Sequence, residues 1–328
     1  MRYGILADIH SNIAALEAVL RAERGVVDKW IFLGDAIGYG TRPVEVIRLL
    51  RKIKVPYWLL GNHDARLVGI IPKDLNFEIS PETGRVEISK RDDCMARSLA
   101  YNRKTLEEAD LQHWCQSKWT PSRMKAKHLK DGNIACWLVH GSLPLDNGNQ
   151  QLTQYIFPWP VNDIDWGEEN RKKLVKKRNP NKATRVLIHG HSHVPYARGV
   201  RKDSLEYRLH LLPINYQSSI NLDDFDQLLI CPGSVGQPRN PDPEPHAAYG
   251  ILEVTDKKKE FFFHRVTYNP EPMIVEVNRL GFDPSGQPKM IQGYLRGANP
   301  EHEFWEINPI WKEWSKIYRL RDWGWEVI

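Results

Sequence analysis

The sequence predicts an α/β protein in which short strands deliver polar residues from their ends into one crevice. Two observations carry this. Five apolar runs, Arg2–Ala7, Lys29–Leu33, Tyr57–Leu60, Ile134–Val139 and Arg185–Ile188, are rich in Ile, Leu, Val and Trp, and each stops at a polar or Gly-containing motif. Helical periodicity also fills the gaps between the first of these runs. In an open α/β sheet the carboxyl ends of the strands line the binding crevice, so five such ends deliver their side chains to one place.

Taken in order, Arg2–Ala7 reads as a strand ending in Asp8-Ile9-His10. Asn12–Glu23 then sets Ile13, Leu16 and Leu20 at helical spacing, with Asn12 as N-cap. Lys29–Leu33 ends in Gly34-Asp35, and Pro43–Lys52 opens a helix with Pro in its first turn. Tyr57–Leu60 runs into Gly61-Asn62-His63-Asp64. Pro72–Gly84 reads as loop, and Cys94–His113 returns to helix over the mouth of the crevice. Ile134–Val139 ends in His140-Gly141, and Arg185–Ile188 leads into Gly190-His191-Ser192-His193. Tyr207–Pro213, Gln227–Cys231, Ala248–Val254 and Glu260–Tyr268 read as consecutive strands of a second sheet. No internal repeat is visible.

The motifs supply carboxylate, amide and imidazole groups, a mixed hard and borderline set that suits a pair of Mn, Fe, Zn or Ni ions. A lone His is more often solvated or hydrogen-bonded than a ligand, and His113, His128, His210 and His246 are read that way. His189, just before the turn, is read as structural. His191 and His193 are two apart and would share a face on a plain strand, but the Gly190 turn leaves their geometry open. Asp64 either caps the helix that follows or orients the His63 ring.

These five elements, in this order, resemble the calcineurin-like metallophosphoesterase superfamily. The turn Cys231-Pro232-Gly233-Ser234-Val235-Gly236-Gln237-Pro238-Arg239 is similar to that of its small bacterial and archaeal phosphodiesterase branch, and the likeness runs from Met1 to roughly Tyr268. The resemblance implies a four-layer αββα sandwich with two mixed β-sheets and a catalytic domain over residues 1–270. It implies one divalent metal ion on Asp8, His10, Asp35 and His193, and a second on Asn62, His140 and His191 that shares Asp35, with Mn favoured. Two cations ~3.5–4 Å apart repel unless an anion lies between them, and a bridging hydroxide is the implied nucleophile. His63 is then not a ligand but protonates the leaving oxygen or stabilises charge there, with Asp64 as its orienting partner.

Substrate choice follows from one departure. The phosphoprotein-phosphatase branch reads Gly-Asp-x-x-Asp-Arg in the second motif, and its Arg clamps a phosphate dianion. The corresponding residues are Gly38 and Tyr39. The expectation is therefore a phosphodiesterase, including cleavage of dinucleoside polyphosphates or nucleotides, with a broad phosphomonoesterase or a nuclease as alternatives. A non-catalytic scaffold of the same fold is the reading from another class, and the filled ligand set argues against it.

Composition bounds the rest. The 328 residues carry a net charge of +5, part of it in Arg171, Lys172, Lys173, Lys176, Lys177 and Arg178. Leu174 and Val175 interrupt that run as a helix seam does, so a solvated helix face is preferred over a nucleic-acid contact. Cys94, Cys115, Cys136 and Cys231 show no ligand-spaced pair, which suits a reducing compartment. Asp8 lies where a cleaved signal peptide would remove it, and no apolar run approaches the ~18 residues of a membrane span, so a cytoplasmic protein is expected. Residues 271–328 form a Trp-rich extension, with Trp305, Trp311, Trp314, Trp323 and Trp325. Asn308-Pro309 reads as a helix start, and Ile310, Trp311, Trp314, Ile317 and Tyr318 share one face, to dock on the catalytic domain, on a second copy of the chain or on stacked bases.

Overall fold

A computed structural model describes residues 1–70, 77–79, 86–88, 94–129, 134–143, 152, 154–157, 164–177, 183–205, 208–212, 216, 218–239, 244–283, 291 and 295. The Trp305–Trp325 segment and Arg178 lie outside the described residues.

The first half alternates strand and helix. β1 (Arg2–Leu6) leads to α1 (Ile13–Ala22), which the Asn12 side chain caps by accepting the Ala15 N–H at 3.1 Å. β2 (Lys29–Phe32) leads to α2 (Pro43–Lys52), with the expected Pro at its start, and β3 (Tyr57–Trp58) to α3 (Asn62–Leu67). An antiparallel pair, β4 (Phe77–Ile79) and β5 (Val86–Ile88), precedes α4 (Cys94–Glu108) and α5 (Gln112–Lys118). The second half holds β6 (Lys127–Leu129), β7 (Ala135–Val139), α6 (Trp166–Val175), β8 (Arg185–His189), β9 (Tyr196–Arg201), β10 (His210–Leu212) and β11 (Ser219–Asn221). β12 (Phe225–Cys231), β13 (His246–Val254), β14 (Lys259–Thr267) and α7 (Glu271–Leu280) follow, and Gly281 closes α7 in the left-handed region at φ 66°.

Two six-stranded mixed sheets result, in the orders β11-β14-β13-β1-β2-β3 and β10-β9-β12-β8-β7-β6. Each is built on three parallel strands, β1, β2 and β3 in the first and β7, β8 and β12 in the second. The other strands pair antiparallel at their flanks. Strands buried on both faces read as continuous apolar runs, as β7 does with all five residues buried.

Alternation along β1 sets the layers. Tyr3, Ile5 and Ala7 face a core shared with Leu187, Leu229 and Phe263, between the sheets. Leu6 faces the other way, onto Leu16 and Val19 of α1 and Ile47 and Leu50 of α2. α6 packs on β8 and β12 from the opposite side, and four layers, αββα, follow. α7 sets Met273, Ile274 and Val277 against Tyr39, Cys94 and Ala100, and its Glu276 pairs with Arg42. No helix among the described residues is long and apolar enough to cross a membrane.

Three expectations need correction. Ala248–Val254 and Glu260–Tyr268 do not extend the second sheet: they are β13 and β14 of the first, where β13 covers the free edge of β1 with Ile5 opposite Gly250. β2 occupies only one edge of β1, and an antiparallel pair joined locally can fill the other. Phe77–Ile79, inside the expected loop, is a strand. The helix expected over Cys94–His113 breaks in two at Asp110, whose φ of 55° is incompatible with a continuing helix. Of the basic run, Lys172 and Lys176 are exposed as a solvated face requires, whereas Arg171 is mostly covered and pairs with Glu168 of the same helix.

Candidate metal centre

The carboxyl ends of the parallel strands of both sheets meet at one place. Asp8 and His10 follow β1, Asp35 follows β2, Asn62 and His63 follow β3, His140 follows β7, and His191 and His193 follow β8; none is more than 4% exposed. Backbone hydrogen bonds lace these loops together. Asp8 N–H donates to the Gly34 carbonyl at 3.0 Å, and Ile9 and His10 N–H to that of Asp35 at 2.9 and 3.1 Å. Across the sheets, Val235 and Gly236 N–H donate to Ala7 and Asp8 at 3.0 Å each, and His191 N–H to the Asp8 carboxylate at 3.0 Å.

Such lacing is needed because the loops are strained. Asp8, His10, Asp35, His191 and His193 all have positive φ, from 50° to 64°. A side chain there costs roughly 1–2 kcal/mol per residue, and such strain collects where the surroundings enforce it for function. His191 and His193 are thus not spaced along a strand but turned separately by two left-handed residues.

The nitrogen atoms face each other in a way that calls for a cation. His10 donates Nδ1–H to the Ile37 carbonyl at 3.0 Å and His193 donates Nδ1–H to that of Gln237 at 2.7 Å. Each ring therefore turns a bare Nε2 lone pair inward, and the two Nε2 atoms are 3.1 Å apart. Burial holds both imidazoles well below their ordinary pKa, helped by His63 at His10 and by Arg239 at His193, so a shared proton is disfavoured. Asp8 Oδ1 approaches the same point, 3.4 Å from His193 Nε2.

A second convergence lies beside it. His140 donates Nδ1–H to the Leu33 carbonyl at 3.1 Å, and its Nε2 is 3.2 Å from Asn62 Oδ1 and 3.4 Å from Asp35 Oδ2. The Asn62 oxygen points at acceptors; turning the amide over would set its NH2 3.0 Å from His191 Nδ1 and 3.2 Å from Asp35 Oδ2. Either a cation or a proton on His140 answers that crowding. Burial opposes the proton, but the Asp35 carboxylate, its hydrogen bond and Asp8 push His140 up to about 9. Among the described residues Asp8, His10 and His193 form one group suited to a metal ion, Asp35, His140 and His191 another, and His10, Asp35 and His63 a third, with ligand atoms in each within 4.8 Å of one another. Buried carboxylates and imidazoles with inward lone pairs fit divalent ions.

His63, which joins His10 and Asp35 in the third group, differs in its bonding. Its ring packs 4.8 Å from those of His10 and Tyr39, and its buried Nδ1 has no hydrogen-bond partner. Burial, against the pull of Asp35, lowers it to about 4. Gly38 makes room for it, since a β-carbon there would lie 2.3 Å from His63 Nδ1.

Asp64 is placed otherwise than as an orienting partner of His63. Its Oδ2 accepts the N–H groups of Asp35 at 2.8 Å and Gly61 at 3.2 Å, and its Oδ1 those of Ala36 at 2.9 Å and Ile37 at 3.4 Å. The carboxylate is occupied by backbone, capping α3 and pinning the Asp35 loop, which leaves none of it for the ring. Burial and Asp35 push it up to about 8, against those N–H donors.

Two neighbours, Asn102 and Tyr155, carry no sequence signal, and two, Arg239 and His189, lie in segments the sequence marks. Asn102 of α4 accepts from Ser11 Oγ–H and Gly38 N–H at 2.7 Å each and donates to the Gly40 carbonyl at 2.9 Å. α4 thus braces the Asp8 and Asp35 loops. Tyr155 stacks on His191 with centroids 4.0 Å apart and planes at 18°. Arg239, in the turn singled out after β12, donates its backbone N–H to the His193 carbonyl at 3.2 Å, and its charge is felt at Asp8, His10, His63 and His193. His189 is buried 2.7 Å from the Tyr196 hydroxyl and is lowered to about 4 by that burial, as suits a structural residue.

Two outcomes follow from this geometry. Asp64→Asn turns an NH2 group against backbone N–H donors and should cost about 1–3 kcal/mol, seen as a lower Tm, while slowing all substrates alike. An unchanged Tm with a loss confined to poor leaving groups would restore the orienting role. The raised pKa of His140 means that its proton stabilises the metal-free fold fully below pH 6.5 and that this is lost as pH rises through about 9. A divalent ion bound at His140 must displace that proton, so titrating chelator-treated protein between pH 7 and 8 should release about one proton from this group and bind more tightly as pH rises towards 9. Calorimetry in buffers of differing ionisation enthalpy measures it, and uptake without proton release contradicts it.

Known proteins share this arrangement of chain. The protein is 28% identical over 275 residues to the uncharacterized protein MJ0912 of Methanocaldococcus jannaschii, across 81% of this chain and 87% of that one. A metallophosphoesterase from Sphaerobacter thermophilus superposes with a TM-score of 0.59 at 25% identity, covering 90% of this chain and 98% of that one. The hypothetical protein PH1004 from Pyrococcus horikoshii does so with a TM-score of 0.57 at 15% identity and the same 90% and 98% coverage, a likeness of fold. The pattern of the calcineurin-like phosphoesterases matches residues 1–213, which include every residue drawn into the centre from β1, β2, β3, β7 and β8. With its strand ends, buried donors and two-sheet frame in agreement with that match, the chain belongs to the calcineurin-like phosphoesterase family.

Proposed function

We propose that the protein is a phosphodiesterase that works with two divalent transition-metal ions, Mn favoured, and takes diesters such as dinucleoside polyphosphates or other nucleotides. The observation that carries the metal reading is the 3.1 Å approach of two inward Nε2 lone pairs, on His10 and His193, in a site where protonation is disfavoured. Asp8, His10, Asp35 and His193 would hold one ion, and Asn62, His140 and His191 the other, with Asp35 shared. When bound, such a pair polarises phosphoryl oxygens and lowers the pKa of coordinated water enough to provide a nucleophile near neutral pH.

The chain's own residues do the rest. Asp35 is presented rigidly: its carbonyl accepts two N–H groups, its own N–H is taken by Asp64, and its Oδ1 accepts the His63 N–H at 2.8 Å. Tyr155 holds the His191 ring in plane. His63, neutral at physiological pH because burial lowers it, donates a ring N–H to the leaving oxygen as charge builds there. Position 39, which in the phosphatase branch would carry the dianion clamp, is a Tyr ring packed 4.9 Å from His10. The fixed positive charge near the centre comes instead from Arg239 and Arg66, both of which act on His63.

His63→Ala should retain both ions yet slow hydrolysis ~10²–10⁴-fold for substrates with a basic leaving alkoxide, and much less for p-nitrophenolate, which departs unaided. Metal analysis beside rates on the two substrate types tests this, and equal losses or falling metal content would remove His63 from the leaving-group side. The wild-type protein should cleave bis-p-nitrophenyl phosphate with higher kcat/KM than p-nitrophenyl phosphate, and Tyr39→Arg should move the ratio towards the monoester. A strong wild-type preference for the monoester refutes the diester reading.

A further inference from the structure

A second cavity lies beside β3, where the carboxyl-terminal ends of α2 and α5 meet. Its volume is about 350 Å³, within the range of small-molecule sites. Its charge is one-sided: Arg51, Lys54, Lys118 and Arg123 line it and, among the described residues, no carboxylate does. Among the described residues, none of these four cations is in an ion pair with an acid. Cations at helix ends are ordinarily explained by the helix dipole, but two carboxyl ends offer about half a negative charge each, roughly one charge against four.

Other features of the cavity point the same way. Lys54 has a φ of 50° just past the end of α2, the position where glycine is favoured, so a side chain is kept there at a conformational cost. Arg123 is half-buried, and its guanidinium donates to the Trp58 carbonyl at 3.0 Å. The wall is also aromatic: Arg51 stacks 4.7 Å over Trp114, whose ring lies 5.7 Å from that of Trp58. Trp58 and Trp119 are 7% and 2% exposed, and the indole N–H of each is buried with no acceptor.

We infer that this cavity binds a nucleoside phosphate, its phosphates on the four cations and its base against the indoles. Inorganic phosphate would leave the aromatic and aliphatic wall, with Leu50 and Val55, uncovered. An uncharged nucleoside would leave the cations unanswered. The site is independent of the metal centre and of the reaction proposed for it.

The test uses the full-length protein after chelation and with Asp35→Asn, so that the metal centre does not take up nucleotide. Tryptophan fluorescence and calorimetry are followed with ATP, AMP, adenosine and pyrophosphate. ATP or AMP should bind saturably, and adenosine and pyrophosphate at least about tenfold more weakly, about 1.4 kcal/mol. Lys54→Gly, which suits the backbone, should weaken nucleotide binding about tenfold without lowering Tm, as should Arg51→Gln with Lys118→Gln. In an otherwise wild-type, metal-loaded background these changes should leave hydrolysis of bis-p-nitrophenyl phosphate unchanged. Absence of saturable binding at millimolar nucleotide, or binding indifferent to these substitutions, overturns the inference. Pyrophosphate binding as tightly as ATP makes the cavity a plain anion site and overturns the nucleotide assignment.

Discussion

The Asp35 carboxylate is buried among four imidazoles, those of His10, His63, His140 and His191, and an anion so placed is costly unless positive charge answers it. His140 and His63 together pull its pKa well below the ordinary value against the effect of burial, so it remains an anion. Everything near it is arranged to keep it there. Its loop is tied to the β1 loop through its own carbonyl, to α3 through Asp64, and to α4 through Gly38 and Asn102. Gly61 lies so close that a β-carbon would come within bonding range of Asp35 Oδ1, so that motif can begin only with glycine.

The legible part of the molecule was the part encoded locally. An apolar run of four to six residues followed at once by Gly-Asp or Asp-x-His is a strand and its end, and six of the seven ligand candidates, with His63, follow such runs directly; His193 sits two residues further round the Gly190 turn. What was not legible depends on partners distant in sequence. The assignment of β13 and β14 to the first sheet rests on the free edge of β1, some 250 residues earlier, as the Met1 to Val254 bond spanning 253 positions illustrates. Asn102 braces two loops 91 and 62 positions away, and nothing in its own neighbourhood marks it. Asp64 was ambiguous for a different reason: a carboxylate three residues into a helix can cap or orient, and only the count of N–H donors around it decides.

Local preference and global fold disagree most at the centre itself. Asp, His and Ser residues in the left-handed region follow β1, β2 and β8, whereas the strands before them are regular and apolar. Sequences specify folds through agreement between levels, and departures concentrate at functional sites. Here the departure has a geometric purpose, because a left-handed residue reverses the direction of the next side chain within one step. His191 and His193 can then present nitrogens to different positions although only Ser192 separates them.

The division of the centre between two sheets has an energetic consequence. Asp8, His10, Asp35 and Asn62 come from the first sheet, and His140, His191 and His193 from the second, so neither the group of Asp8, His10 and His193 nor that of Asp35, His140 and His191 is complete until the Ile5, Leu187 and Leu229 core between the sheets has formed, whereas His10, Asp35 and His63 all come from the first sheet. Cations that bind only the assembled centre stabilise that packing by mass action. They also relieve the repulsion that the folded chain otherwise carries between the Nε2 atoms of His10 and His193. The strain in the loops and the crowding of lone pairs are therefore not independent defects. Both are the cost of preforming a cation site, and the same charge that completes the chemistry offsets them.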